Sequence, residues 1–216
     1  EAREKLRKKQ PEWAETDGLI FAPPKAIEQC SSLFTAAYKA EVASTLVNGS
    51  AHTAVDLTTG FGVDTHAFSK SFGTVVAVEK DAQLAELSRH NFKQLNALNI
   101  EVRTASAEAY LTDMPQVDFL FLDPDRRDET GAKRIGFEYY APNIIEQYAS
   151  LLNNARLVGI KVSPMIDLSY AKKHLPDLLR VDLISVENEL KELVLWLSRD
   201  QRSAQIKLVQ AFLFKH

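Results

Sequence analysis

Apolar and polar positions change their period several times along the chain. From Ala26 to Val47 apolar residues recur at helical spacing (Ile27, Cys30, Leu33, Phe34, Ala37, Tyr38, Val42, Leu46), which predicts one helix closed by Asn48-Gly49-Ser50. Ahead of it, Pro11, Gly18, Pro23 and Pro24 predict a helix tail followed by a loop. Beyond Ser50 short β-rich runs alternate with helical stretches. The predicted strands are TAVDL (53–57), TVVAVE (74–79), IEVRT (100–104), VDFLFLD (117–123) and ARLVGIKV (155–162). Helical spacing falls near 64–71, 81–97, 107–112, 138–153 and 168–175.

Such alternation implies parallel strands joined by helical crossovers. VDFLFLD and LVGIKV are apolar on both faces, as central strands of a helix-covered sheet must be. LRVDLISVENE and KELVLWLSR are then separated only by a turn, which predicts an antiparallel hairpin on the parallel sheet. The expected fold is α/β, Rossmann-like, mostly parallel, with its last strand antiparallel and a helical extension at the N-terminus. Residues 1–50 are read as the helical segment, 51–200 as the α/β domain and 201–216 as the start of a further part. The chain opens on Glu1 inside a polar run, and IKLVQAFLF stops just short of His216. Both ends suggest a piece of a longer protein. The alternative is a trimmed N-terminus and a short closing strand.

Composition narrows the classes. Hydrophobic residues make 45% and charged residues 25% of the 216, an ordinary globular balance. No apolar run reaches about 18 residues, so no membrane-spanning helix is expected. Cys30 is the one cysteine, which excludes an internal disulfide framework and fits a reducing, cytoplasmic setting. The five histidines lack metal-ligand spacing, and no metal is expected. Net charge −3 gives no global pull toward nucleic acid or anionic membrane, so any basic surface is local.

The first predicted strand runs into Asp56-Leu57-Thr58-Thr59-Gly60-Phe61-Gly62-Val63-Asp64. Glycines in a strand-to-helix turn let backbone approach a ligand closely. The dinucleotide fingerprint needs a third glycine, and a phosphate loop needs Gly-Lys-Ser/Thr; neither is present. Asp56 and Asp64 bracket the loop with negative charge, which disfavours phosphate. Glu79 ends the second strand, where an acid accepts both hydroxyls of a ribose. A cofactor with a ribose and a zwitterionic end, S-adenosylmethionine, fits these demands. The plainer alternative has Asp56 capping the turn and Glu79 solvated.

Together, the hairpin-terminated strand order, DLTTGFG and VVAVEKD resemble the class I S-adenosylmethionine-dependent methyltransferases over residues 52–198. That resemblance implies their seven-stranded sheet. It also implies cofactor contacts from Asp56, Thr58, Gly60, Gly62, Asp64, Glu79, Lys80, Ser106 and Ala107. Thr58 replaces the first glycine of the commonest motif, and Ser106 stands where an acid is more usual. KAIEQCSSLFTAAYKAEVAST, DLTTGFGVD, FLDPDRR, KVSPMID and ENELKEL further resemble a group of bacterial methyltransferase-like proteins with a C-terminal THUMP-like domain. The resemblance implies that most of that domain is missing here.

The fourth strand ends in Asp123-Pro124-Asp125-Arg126-Arg127. Enzymes that methylate exocyclic amines place an acid and a proline at this point, so that the amine's hydrogens are held and its lone pair faces the methyl group. Asp123, Pro124 and Arg126 are the candidate catalytic residues. The aromatic usual after the proline is absent, and a guanidinium can stack on a base or pair with phosphate. Arg127, Lys161 and Ser163 are candidate substrate contacts, and Asp167 is a candidate helix cap. A cysteine nucleophile is disfavoured, because Cys30 reads better as a buried, inert thiol. Gln29, Ser31, Ser32 and Lys39 either cover the cofactor or form a half-buried helix face. The expected activity is methyl transfer to a base of RNA, at an exocyclic or ring nitrogen, with RNA gripped through the missing C-terminal domain. The rivals are a catalytically idle cofactor- or RNA-binding module and a small-molecule methyltransferase. An NAD-dependent oxidoreductase is disfavoured by the missing glycine.

Overall fold

The structure is a computed structural model, and it describes residues 2–47, 53–126, 136–200 and 206–213. Two compact units divide the chain, Glu1–Ala107 and Glu108–His216.

The first unit opens with four helices: α1 (Ala2–Lys9), α2 (Pro11–Glu15), α3 (Pro24–Gln29) and α4 (Leu33–Leu46). Strand β1 (Thr53–Asp56), helix α5 (Val63–Ser69), strand β2 (Thr74–Glu79), helix α6 (Ala82–Gln94) and strand β3 (Ile100–Thr104) follow. β2 lies between β1 and β3 and is parallel to both. Leu6, Trp13, Ile27, Phe61, Val63, Ala77 and Phe92 share one core. The N-terminal helices are therefore packed onto the β1–α5 turn, not trailing from it. The expected loop over the first 25 residues is in part helix α2, whose Trp13 is 1% exposed and meets Phe61 edge-on at 5.0 Å.

The single helix expected from Ala26 to Val47 is two. Cys30 and Ser32 are extended (φ −64, ψ 152 and φ −76, ψ 163) and end α3 and cap α4. Ser32 Oγ accepts from Thr35 N–H while Thr35 Oγ1 accepts from Ser32 N–H, a reciprocal cap. Apolar spacing carries on across the break and hides it.

The second unit is reached through α7 (Ala107–Asp113) and holds β4 (Val117–Leu122), β5 (Asp125–Arg126), a 3-10 turn (Phe137–Tyr139), β6 (Tyr140–Ala141), α8 (Ile144–Asn154), β7 (Ala155–Val162), α9 (Leu168–His174), β8 (Leu178–Val186), β9 (Glu189–Leu197) and β10 (Lys207–Leu213). The strand order is β4-β7-β9-β8-β10. β4 and β7 are parallel, β9 is antiparallel to β7 and β8, and β10 is parallel to β8. The hairpin turn uses Glu187 and Asn188 at φ 55 and 63, the left-handed pair of a tight two-residue connection. Among the described residues the chain thus carries the parallel strands and antiparallel C-terminal hairpin of a mixed α/β fold, and β10 extends the hairpin's sheet beside β8.

The helix expected over 138–153 starts later, at Ile144. Asn143 caps it by accepting from Ile145 and Glu146 N–H, and Tyr140–Ala141 before it pairs antiparallel with Asp125–Arg126. Inside this unit Gly159 leaves room for Trp196 and Phe119, which an added Cβ would meet at 3.0 and 3.2 Å. Among the described residues no helix is long and apolar enough to cross a membrane.

Candidate functional site

The first unit gathers one polar cluster at the carboxyl ends of β1 and β2. Asp56 is 1% exposed; its Oδ1 accepts from Thr58 N–H at 3.1 Å and its Oδ2 from Thr65 Oγ1 at 2.6 Å. The acid at the strand end therefore ties the loop to α5. Glu79 is 8% exposed, and its carboxylate spans two backbone donors: Gly60 N–H to Oε2 and Asp81 N–H to Oε1, both at 2.9 Å. It is braced, not solvated as the plainer expectation had it.

Gly60 and Gly62 take φ of +55 and +92, where a side chain is strained. They differ in their surroundings. A Cβ on Gly62 would strike Phe92 Cζ at 2.5 Å, so this glycine serves packing as well as conformation. A Cβ on Gly60 would meet nothing nearer than Thr58 O at 3.9 Å, so the loop surface there is open. Thr58 is half-buried and Lys80 exposed. Ser106 is half-buried and Ala107 buried, just past β3.

Asp64 departs from its expected part in the loop's charge. Its Oδ2 accepts from Ser31 Oγ at 2.7 Å, and Lys39 Nζ donates to that Oγ at 2.7 Å. Lys39 Nζ lies 2.9 Å from Asp64 Oδ1, off the hydrogen-bonding direction, in an ion pair whose lysine is fully buried. Asp64 is thus neutralised, and the loop is less negative than its sequence suggests. Ser31 and Lys39 bind the N-terminal helices to α5. Gln10 Nε2 donates to Ser31 O at 3.2 Å, and Lys9 Nζ donates to Cys30 O at 2.8 Å. Gln29 is exposed, and Cys30 is half-buried with its thiol donating to Ile27 O at 3.1 Å. The pairing of Lys39 with Asp64 escaped the sequence reading, because no period links residues 25 apart on separate helices.

Beside α5, His66 is 5% exposed and its Nδ1 accepts from Trp13 Nε1 at 3.3 Å. Burial lowers its pKa to about 4, helped by Lys70 and opposed by Glu12.

The second unit holds the DPDRR turn. Asp123 follows β4 and Lys161 lies near the end of β7, on neighbouring parallel strands. Lys161 Nζ donates to Asp123 Oδ2 at 2.6 Å, with the side chains 15% and 36% exposed. Two candidates of different expected roles, acid and substrate cation, are therefore partners. Pro124 is buried and Asp125 exposed. Arg126 pairs through its backbone with Tyr140, while Arg127 lies outside the described residues.

Ser163 Oγ accepts from Met165 N–H at 3.2 Å, which closes the turn after β7, and Ser163 N–H donates to Tyr140 Oη at 3.2 Å. Tyr140, missed by sequence reasoning, is 3% exposed and joins the two loops that flank the Asp123–Lys161 pair. It falls in the stretch 138–153 expected to be helical, where it begins strand β6 instead. Asp167 caps α9 by accepting from Ser169 N–H at 2.7 Å, as expected. No group of three or more potential metal ligands occurs among the described residues.

No family model and no curated protein matches the chain. Solved structures do. A proposed methyltransferase from Porphyromonas gingivalis W83 is 27% identical with a TM-score of 0.80, over 93% of this chain and 48% of that one. The chain thus spans about half the length of that protein. An rRNA methylase from Streptococcus thermophilus is 14% identical with a TM-score of 0.53, over 74% of this chain and 94% of that one. A proposed methyltransferase from Streptococcus mutans, in complex with SAH (S-adenosylhomocysteine), is 16% identical with a TM-score of 0.51, over 73% and 96%. The parallel strands, the helices between them and the antiparallel hairpin of this chain are those of the methyltransferase fold.

Proposed function

We propose that this chain is an S-adenosylmethionine-dependent methyltransferase domain acting on a base of RNA. Glu79 carries the cofactor part of the reading. Its carboxylate is fixed beside Gly60 at the end of β2, and two backbone bonds leave lone pairs on both oxygens for hydroxyl donors. The open surface over Gly60 gives such a ligand room. The Streptococcus mutans neighbour, which holds S-adenosylhomocysteine on the same fold, supports the choice of cofactor. When bound, S-adenosylmethionine supplies an activated methyl group.

The residues of this chain bind, orient and take a proton. Glu79 would accept from the ribose hydroxyls, and the turn from Thr58 to Gly62 would lie beside the cofactor. Lys80, Ser106 and Ala107 line the adenine end. Asp64 acts through its ion pair with Lys39, holding the start of α5 in place. Asp123 accepts a hydrogen bond from the N–H of the nucleophilic nitrogen and receives the proton that this nitrogen sheds on methylation, and Pro124 fixes the turn that carries it. Holding the nitrogen in line supplies much of the rate in a single displacement. Arg126 and Arg127 meet base or phosphate.

The rRNA methylase neighbour supports RNA as substrate class. The Porphyromonas gingivalis protein is about twice as long as the stretch matched here, which is compatible with a further part; we propose that this part is C-terminal, THUMP-like and supplies the RNA grip. One cysteine, half-buried, suits a cytoplasmic setting.

The deciding measurement is calorimetric titration with S-adenosylhomocysteine. Wild type binds, and Glu79→Ala loses two charge-assisted bonds worth roughly 1.5–3 kcal/mol each. A folded wild type that binds nothing, or an unchanged affinity in Glu79→Ala, overturns the assignment.

A further inference from the structure

The Asp123–Lys161 pair narrows the chemistry of the nucleophile, and the inference rests on the methyltransferase reading above. β7 is an inner strand, with Leu157, Val158 and Ile160 against β4 on one side and Val194 of β9 opposite Lys161 on the other. The backbone that carries Lys161 is therefore fixed. Its ammonium reaches across to Asp123 at 2.6 Å, and Tyr140 ties the turn after β7 to the β5–β6 ladder that continues the Asp123 turn. The result is an anionic acceptor held beside a cationic donor, with both side chains in part accessible.

This arrangement complements one kind of chemical edge. Guanine and uracil present an N–H next to a carbonyl oxygen, and adenine and cytosine present an amino N–H next to a ring nitrogen. In each, a donor sits beside an acceptor on an uncharged planar ring. Both bonds to the pair are charge-assisted, the stronger class of hydrogen bond. A protonated amine, such as a lysine side chain or a polyamine, offers donors only. It also brings a positive charge up to the Lys161 ammonium, which repels it.

We propose that Asp123 and Lys161 together read the donor–acceptor edge of a nucleobase. Asp123 takes the N–H of the target nitrogen, Lys161 donates to the neighbouring oxygen or ring nitrogen, and cationic amines are turned away. Lys161 is a base-reading residue, not a phosphate contact.

The test uses the protein with whatever sequence flanks these residues in its gene retained. Labelled methyl transfer is measured into total RNA, poly-lysine and spermidine, for wild type, Lys161→Met and Lys161→Gln. S-adenosylhomocysteine affinity is measured alongside by calorimetry. The expected result is label in RNA and none in the two polycations. Lys161→Met raises the KM for RNA by on the order of 10-fold or more, as expected for one lost charge-assisted bond. Lys161→Gln, which keeps a donor, recovers most of that loss, and both variants keep wild-type S-adenosylhomocysteine affinity, which shows them folded. RNA labelled with unchanged KM by Lys161→Met overturns the pair's role while leaving the methyltransferase reading intact. Label in spermidine or poly-lysine, with RNA unlabelled, overturns both the pair's role and the RNA substrate, while methyl transfer itself stands.

Discussion

At the scale of single residues, the two glycines of the turn after β1 are not equivalent. Gly62 combines φ +92 with Phe92 Cζ 2.5 Å from where a Cβ would stand, whereas Gly60 carries only its φ of +55. Gly62→Ala must both strain the backbone and displace a core ring that is 2% exposed. It is expected to cost about 2–4 kcal/mol, the sum of strain and overpacking. Gly60→Ala is expected to cost about 1 kcal/mol. Urea unfolding of both variants checks the order. Phe92→Leu placed on Gly62→Ala should return part of the loss, and no recovery would remove Phe92 as the cause.

Lys39 and Asp64 give a second residue-scale expectation. A buried ion pair that loses one member leaves an uncompensated charge, at about 3–5 kcal/mol. Lys39→Met should therefore destabilise strongly, and Lys39→Met with Asp64→Leu should be nearer wild type than Lys39→Met alone. The midpoint of denaturant unfolding in these two variants and in Asp64→Leu alone reads this directly. Additive losses in the double variant would deny the coupling.

At the scale of elements, legibility followed period and length. β2, β3 and β7 were read with the bounds they have, because each is a continuous apolar or alternating run bordered by breakers. The α3–α4 break was not, because Ile27, Cys30 and Leu33 keep helical spacing across two extended residues; the Ser32-to-Thr35 cap was the signal that competed with it. The candidate residues Asp56 and Glu79 in the first unit and Asp123 in the second were legible as strand ends, since each is an acid closing an apolar run. What joins Asp56 to Thr65, Asp64 to Lys39 and Asp123 to Lys161 is contact across elements, which no local pattern encodes.

The N-terminal helices carry a prediction of their own. His66 is held neutral under Trp13, with a pKa lowered from 6.5 to about 4 by burial. A depressed folded value means that only the unfolded chain takes up a proton between those limits. Its contribution is full above pH 6.5 and is lost as pH falls through that window toward 4, at up to about 1.4 kcal/mol per pH unit. His66→Gln keeps an acceptor for Trp13 and does not titrate. Its stability should fall less steeply between pH 6.5 and 4.5 than that of wild type. Parallel curves from urea titrations at each pH would exclude His66 as the source.

For the whole molecule, charge sets the terms of the proposed RNA binding. The 216 residues carry 26 basic and 29 acidic side chains, a net charge of −3. Affinity for a nucleic-acid backbone comes from phosphates neutralised by Lys and Arg, and each one released from its counterions steepens the salt dependence. Among the cations of the candidate site, Lys161 is already paired with Asp123. The residues here are therefore expected to bind RNA weakly, with a slope of log K against log salt corresponding to only one or two phosphates, at roughly −0.7 per phosphate on single strands. If sequence flanking these residues in the gene supplies the grip proposed above, the protein with that sequence retained binds more tightly and with a steeper slope. Fluorescence anisotropy of a labelled RNA hairpin across 50 to 200 mM salt, a range over which such slopes are resolved, separates the cases. Equal affinity and equal slope for the two chains would put the RNA-binding surface within these residues and remove the further part from substrate capture.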